Sequence, residues 1–225
     1  MLPSKIIEQA LPRHGSGIYD IEIDSVEQDR LRTTLFFPEE SKTAQRSLLV
    51  CILHYAGQPT RFYGRPLLEN VFLPVFKKYN AILVAPESID GQWHTEKNET
   101  FVMDLLYSIK NVYKVDSRKV LIGGYSMGAL GAFHFLESYP DFFSAGIALA
   151  GFPARAINPS QPVYMALSQN DEIFGYDNFV KQNKNVLDGN HKLSLSQVPA
   201  SSHYDVQAFA EQFYAADSWV NQLWN

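Results

Sequence analysis

A single cysteine, Cys51, stands in 225 residues, so no internal disulfide can staple the chain and its stability must come from a packed core. Cys51 lies within the apolar run 48–53 with no electropositive neighbour in sequence, which marks it as a buried structural thiol rather than a nucleophile. No apolar run approaches the roughly 20 residues of a membrane-crossing helix, which excludes integral membrane contact. Positive charge is also scarce. The net charge is -5 and the pI near 5.7, and Lys and Arg are scattered instead of striped, so nucleic acid is excluded as a partner. The segment Met1-Leu2-Pro3-Ser4-Lys5-Ile6-Ile7-Glu8 has neither the basic stretch nor the apolar core of a secretory signal, and the cytoplasm is the expected compartment. No His/Cys/Asp/Glu cluster has ligand spacing, no HExxH occurs, and no glycine-rich phosphate loop is present.

What is present is an ordinary globular composition, 46% hydrophobic and 19% charged, over a length suited to one α/β domain spanning residues 1–225. Residues 18–23 alternate apolar and polar, residues 31–37 do so more loosely, and Gln28-Asp29 between them can turn; this predicts an antiparallel pair. Short continuous apolar runs follow at 48–53, 81–85, 120–123, 145–150, 163–167 and 193–198, the pattern of parallel strands covered on both faces. Helical spacing occupies 66–79, 100–113, 127–139, 176–187 and 204–223. The alternation predicts a doubly wound, mostly parallel eight-stranded sheet with helices on both faces. Residues 151–161, carrying Pro153 and Pro159, are too few and too broken for a crossover helix, so any cap over a site is minimal.

The most specific signal is Gly124-Tyr125-Ser126-Met127-Gly128, entered from the strand-like Lys119-Val120-Leu121-Ile122 and left by the helix-like run 129–139. A sharp strand-to-helix turn exposes a serine Oγ and has room only for very small residues two before and two after it. With 18 serines and 13 glycines, chance alone yields such a pentapeptide about 0.06 times; the flanking strand and helix raise its weight.

A serine hydroxyl is a poor nucleophile at neutral pH and needs a histidine base, itself oriented by an acid. In an open parallel sheet these groups gather beyond the carboxyl ends of strands. Asp171 follows the run 163–167 and His203 follows 193–198, which gives the order Ser126, Asp171, His203. Glu172 and Asp177 compete with Asp171, whose alternative role is a turn-forming or helix-capping carboxylate. His94 competes with His203 by position, although it precedes the serine. His191 precedes its strand and His134 falls inside a helix, which points to structural or solvent-facing roles for both.

An oxyanion hole needs donors placed in advance. Met127 N–H is one candidate, and His54-Tyr55-Ala56-Gly57-Gln58 after the run 48–53 supplies another in the Ala56 N–H. Tyr55 stands where lipases and esterases commonly carry glycine, so the second donor is either a backbone amide or the Tyr55 hydroxyl. His54 reads as a brace for this loop. Trp93, Phe152 and Phe174 follow three strands and are candidates for a substrate wall, with simple packing as the alternative.

The chain resembles small, capless serine esterases of the α/β-hydrolase superfamily, in the group of predicted peptidases, carboxylesterases, feruloyl esterases and polyhydroxybutyrate depolymerases; the resemblance covers nearly the whole chain, is densest from Asn111 to Gly151, and over the first 45 residues is one of pattern alone. The residues concerned are Val112-Tyr113-Lys114-Val115-Asp116-Ser117-Arg118-Lys119-Val120 before the elbow and Tyr139-Pro140-Asp141-Phe142-Phe143-Ser144-Ala145 after it. His203-Tyr204-Asp205-Val206-Gln207-Ala208-Phe209 is similar to the group's histidine segment. The resemblance implies a metal-free, cofactor-free acyl hydrolase acting on a small-molecule ester through an acyl-enzyme. Thioesters, lysophospholipids and peptides are alternative substrates, and a non-catalytic binding protein on the same fold is the alternative of another class.

Overall fold

The computed structural model describes residues 4–13, 15–24, 30–39, 46–58, 60–189 and 192–224; the expected turn at Gln28-Asp29, and His191, lie outside them. Eight strands form one sheet in the order β1-β2-β4-β3-β5-β6-β7-β8. β1 (Gly17–Asp24) and β2 (Arg30–Phe37) pair antiparallel, and β2 pairs antiparallel with β4 (Ala81–Pro86). The remaining neighbours run parallel: β3 (Ser47–Leu53), β4, β5 (Val115–Tyr125), β6 (Ala145–Leu149), β7 (Val163–Ser168) and β8 (Leu193–Val198).

The continuous apolar runs are explained by burial on both faces. In β3, Leu49, Cys51 and Leu53 enter one core layer, while Leu48, Val50 and Ile52 enter the other. The first layer is closed by α1 (Ser4–Ala10), α4 (Glu96–Val112), α5 (Met127–Ser138) and α6 (Tyr176–Leu187), through side chains such as Ile7, Phe101, Phe135 and Phe179. The second is closed by α2 (Arg65–Leu67), α3 (Leu73–Phe76), α7 (Val206–Tyr214) and α8 (Asp217–Gln222), through Leu67, Phe76, Phe213 and Val220. A π turn, Leu68–Phe72, joins α2 to α3. Pro74 follows it, and proline has no N–H to give to a carbonyl four residues back. That carbonyl, of Asn70, accepts the Tyr214 hydroxyl instead, which ties this helix to α7.

Chain order reverses around β3. The chain goes outward to β4, returns to β5, and then proceeds to β8. A crevice at such a switch point, outside the carboxyl ends of the strands, is where open α/β sheets place ligands. Between β6 and β7 the described residues contain no helix, so this connection adds no cap.

Candidate active site

Ser126 follows β5 at φ 55° and ψ -117°, a left-handed conformation rare outside glycine. The surrounding backbone imposes it. Ser126 N–H donates to Leu149 O at 2.9 Å, and Ser126 O accepts from Ala129 N–H at 2.9 Å and Leu130 N–H at 3.2 Å. A Cβ on Gly128 would lie 1.9 Å from Leu53 O, and one on Gly124 would lie 2.4 Å from Gly128 C. The turn is therefore open to glycine alone at both places, and the contact at Gly128 presses the end of β3 against the start of α5. Strain of this kind costs on the order of 1–3 kcal/mol and persists where the surroundings over-determine it.

His203 lies in the loop between β8 and α7, and Asp171 in the loop between β7 and α6. His203 Nε2 is 2.9 Å from Ser126 Oγ, and His203 Nδ1 is 2.9 Å from Asp171 Oδ2. The Asp171 side chain is fully buried. Its Oδ1 accepts from Ile173 N–H at 2.8 Å and Phe174 N–H at 2.6 Å, so the turn-forming role and the contact with histidine are both present, one on each oxygen. With Oδ1 taken by amide donors, Oδ2 is the acceptor for an Nδ1–H, and Nε2 is left as the lone pair facing Ser126 Oγ.

The three residues expected to act together are thus joined in one hydrogen-bonded line, and the rivals lie outside it. Glu172 accepts from His203 N–H at 2.9 Å and from the Ser202 hydroxyl at 2.9 Å; the His203 amide holds its carboxyl below the ordinary range. His134 is paired with Glu99 through Nε2, and the exposed His94 has its ring 6.3 Å from that of His134.

Met127 N–H belongs to the first turn of α5, where no intrahelical carbonyl can reach it. Beside it runs the segment after β3. His54 is 3% exposed. Its Nε2 accepts from Ser88 N–H at 3.0 Å, its Nδ1 lies 2.8 Å from Tyr55 O as a donor, and its own carbonyl accepts the Trp93 indole N–H at 2.9 Å. This pairing fixes a neutral tautomer, and burial pushes the His54 pKa down. Tyr55 packs edge-on against Tyr63 and Tyr125 at ring distances of 5.2 and 6.1 Å. Ala56 is exposed in the bend that follows.

Trp93 corrects an expectation. It is 1% exposed, and its Cβ and Cγ sit against the position a Gly131 Cβ would take. The indole therefore anchors the His54 segment from inside and offers no wall to a ligand. Phe152 and Phe174 are grouped beside the histidine, with rings 5.6 Å apart and Phe174 5.7 Å from His203. Cys51 is fully buried, which pushes its thiol pKa up. Among the described residues no group of three or more His, Cys, Asp or Glu side chains could hold a metal ion, and no helix is long and apolar enough to cross a membrane.

Sequence reasoning missed the contacts that hold the main chain of the histidine loop, among them the Tyr125 hydroxyl donating to His203 O at 2.7 Å. The elbow position of Tyr125 was legible, but a hydroxyl-to-carbonyl contact across 78 residues leaves no local pattern.

Sheet order, elbow and loop positions define the α/β-hydrolase fold. No family model matches the chain. A probable acetylxylan esterase A of Aspergillus flavus is 28% identical over 163 residues, covering 67% of this chain and 48% of the relative; the chain thus spans about half the length of the curated relative it matches. Among solved structures, a ferulic acid esterase superposes with a TM-score of 0.71 at 17% identity, covering 94% of this chain and 100% of the other. A substrate-bound fluorophosphonate-binding serine hydrolase of Staphylococcus aureus gives a TM-score of 0.70 at 11% identity, covering 92% and 98%.

Proposed function

We propose that this chain is a serine hydrolase of carboxylic esters, with Ser126 as nucleophile, His203 as base and Asp171 as its orienting acid. The observation that carries the reading is the unbroken line Ser126 Oγ, His203 Nε2, His203 Nδ1, Asp171 Oδ2, with 2.9 Å at both hydrogen bonds. His203 Nε2 takes the Ser126 proton as Oγ attacks the ester carbonyl, and the carbonyl oxygen becomes an oxyanion. Met127 N–H is its first donor, and the second comes from the 54–56 segment, through Ala56 N–H or the Tyr55 hydroxyl. The imidazolium, held against the Asp171 carboxylate, then protonates the departing alkoxide. A water molecule, deprotonated by the same Nε2, then attacks the acyl carbonyl, and as the acid leaves the imidazolium gives that proton to Ser126 Oγ. The original Ser126 proton thus departs with the alcohol, the proton on the restored hydroxyl comes from water, and the acid–base groups are ones that this protein carries. The esterase relatives support an ester as substrate, and the name of the Aspergillus relative makes acetylated xylan one substrate to include in a panel.

The test is Ser126→Ala. The variant is expected to lose ester hydrolysis by at least about a thousandfold while its circular dichroism and thermal midpoint stay near those of the parent. Hydrolysis at the parent rate would sink the assignment, and retained ligand binding by a protein inert in both forms would favour a binding protein on the same fold.

A further inference from the structure

His203 sits on a loop at the end of an edge strand, β8, whose residues are mostly half-buried. The imidazole must nevertheless stay aligned with both Ser126 and Asp171 through a full cycle, because proton transfer falls off steeply with distance and angle. Three residues at or just after the ends of β7 and β5 supply the fastening. Ser168, fully buried at the end of β7, donates its hydroxyl to Ser201 O at 2.7 Å and accepts from Ser201 N–H at 2.9 Å. Glu172 accepts from the Ser202 hydroxyl and from His203 N–H, both at 2.9 Å. Tyr125, the residue before the nucleophile, donates to His203 O at 2.7 Å.

We infer that Glu172 and Tyr125 are positioning residues for the base: the carboxylate grips the His203 amide and the phenol grips its carbonyl. The inference rests on the triad reading above. Adjacent carboxylates thereby divide the work, Asp171 holding the ring and Glu172 the main chain. Tyr125 links the histidine loop to the nucleophile elbow, so Ser126 and His203 are referenced to each other through one side chain.

Hydrolysis of p-nitrophenyl acetate at neutral pH, with kcat and KM determined separately, tests the clamp. In Glu172→Ala the acceptor is gone, and kcat is expected to fall about tenfold with KM little changed, the size of a lost charge-assisted hydrogen bond. Glu172→Gln keeps an acceptor oxygen, so its kcat recovers to within about threefold of the parent. Tyr125→Phe removes a neutral donor, so its kcat falls by about threefold to tenfold, again with KM little changed. Parent-like kcat in both Glu172 variants, or equal kcat losses in alanine and glutamine, overturn the inference. Ser126→Ala run alongside keeps the two claims apart: activity retained there defeats the triad itself, whereas an inert Ser126→Ala beside parent-like Glu172 variants defeats the clamp alone.

Discussion

Replacing Asp171 by Asn tests the proposed relay at its most constrained atom. Asp171 Oδ1 accepts two backbone amides, from Ile173 and Phe174, so in the variant the amide oxygen must occupy that side. The NH₂ group then takes the place of Oδ2, 2.9 Å from His203 Nδ1. A donor facing an Nδ1–H is repulsive, and the imidazole relieves it by moving its proton to Nε2. That proton then points at Ser126 Oγ, where a lone pair is required. The base is disabled although the side chain is isosteric. From the loss of the required tautomer we expect kcat/KM for p-nitrophenyl acetate to fall by about 10³ to 10⁴, or about 4–5.5 kcal/mol of transition-state stabilisation. The fold should be retained, because both amides keep their acceptor and the side-chain volume is conserved. Stopped assays at neutral pH, with a urea melt of the same preparation, provide the check. A variant within tenfold of the parent would refute the reasoning, since neither tautomer nor imidazolium would then depend on Asp171.

Two further outcomes follow from groups near the site. Trp93→Ala removes one of the largest fully buried side chains and the donor to His54 O; stability measured by urea denaturation is expected to drop by about 3–5 kcal/mol, and a large rise in KM at an unchanged midpoint would instead make Trp93 a substrate contact. His54 is neutral in the folded protein, its pKa lowered from 6.5 by burial, while the unfolded chain binds a proton near that value. Unfolding therefore takes up protons below it, so stability falls as pH drops through 6.5 towards the depressed folded value. His54→Gln should flatten that part of the stability curve, and an equally steep fall in the variant would show that another group is responsible.

Much of this molecule was legible before any coordinates. The apolar runs at 48–53, 81–85, 120–123, 145–150 and 163–167 fall within or beside β3 to β7, because a strand buried on both faces leaves few polar gaps; the run at 193–198 coincides with β8, but Ser194, Ser196 and Gln197 interrupt it because β8 is an edge strand whose residues are mostly half-buried. The elbow was legible because its glycines answer a steric demand set within five residues. Other elements left weaker traces. Helix α1 buries Ile7 with Leu11 beside it, and one pair is too little to register a period. Helix α4 begins at Glu96, ahead of the apolar pattern, since Thr95 caps it by accepting from Asn98 N–H at 3.3 Å. The expected helix 204–223 divides into α7 and α8, a break that no proline or glycine announces. Strand β5 reaches back to Val115 through polar residues 116–119, where the register with β3 shifts between Ser47 and Leu49, so no apolar run marks this part of the strand. Trp93, which follows a strand in the manner of a pocket residue, proved to be a buried anchor because the space above Gly131 admits an indole. Contacts among three loops, such as Tyr125 with His203 and Glu172 with the His203 amide, are products of topology.

The central claim is that Ser126 is an activated nucleophile, and covalent labelling tests it most directly. The purified protein would be treated with a fluorophosphonate probe, native and after heat denaturation, and the adduct located by peptide mass spectrometry. The account predicts labelling at Ser126 in the native protein, none after denaturation, and none in Ser126→Ala. An unlabelled native Ser126, or a label on another residue that persists in Ser126→Ala, would contradict it.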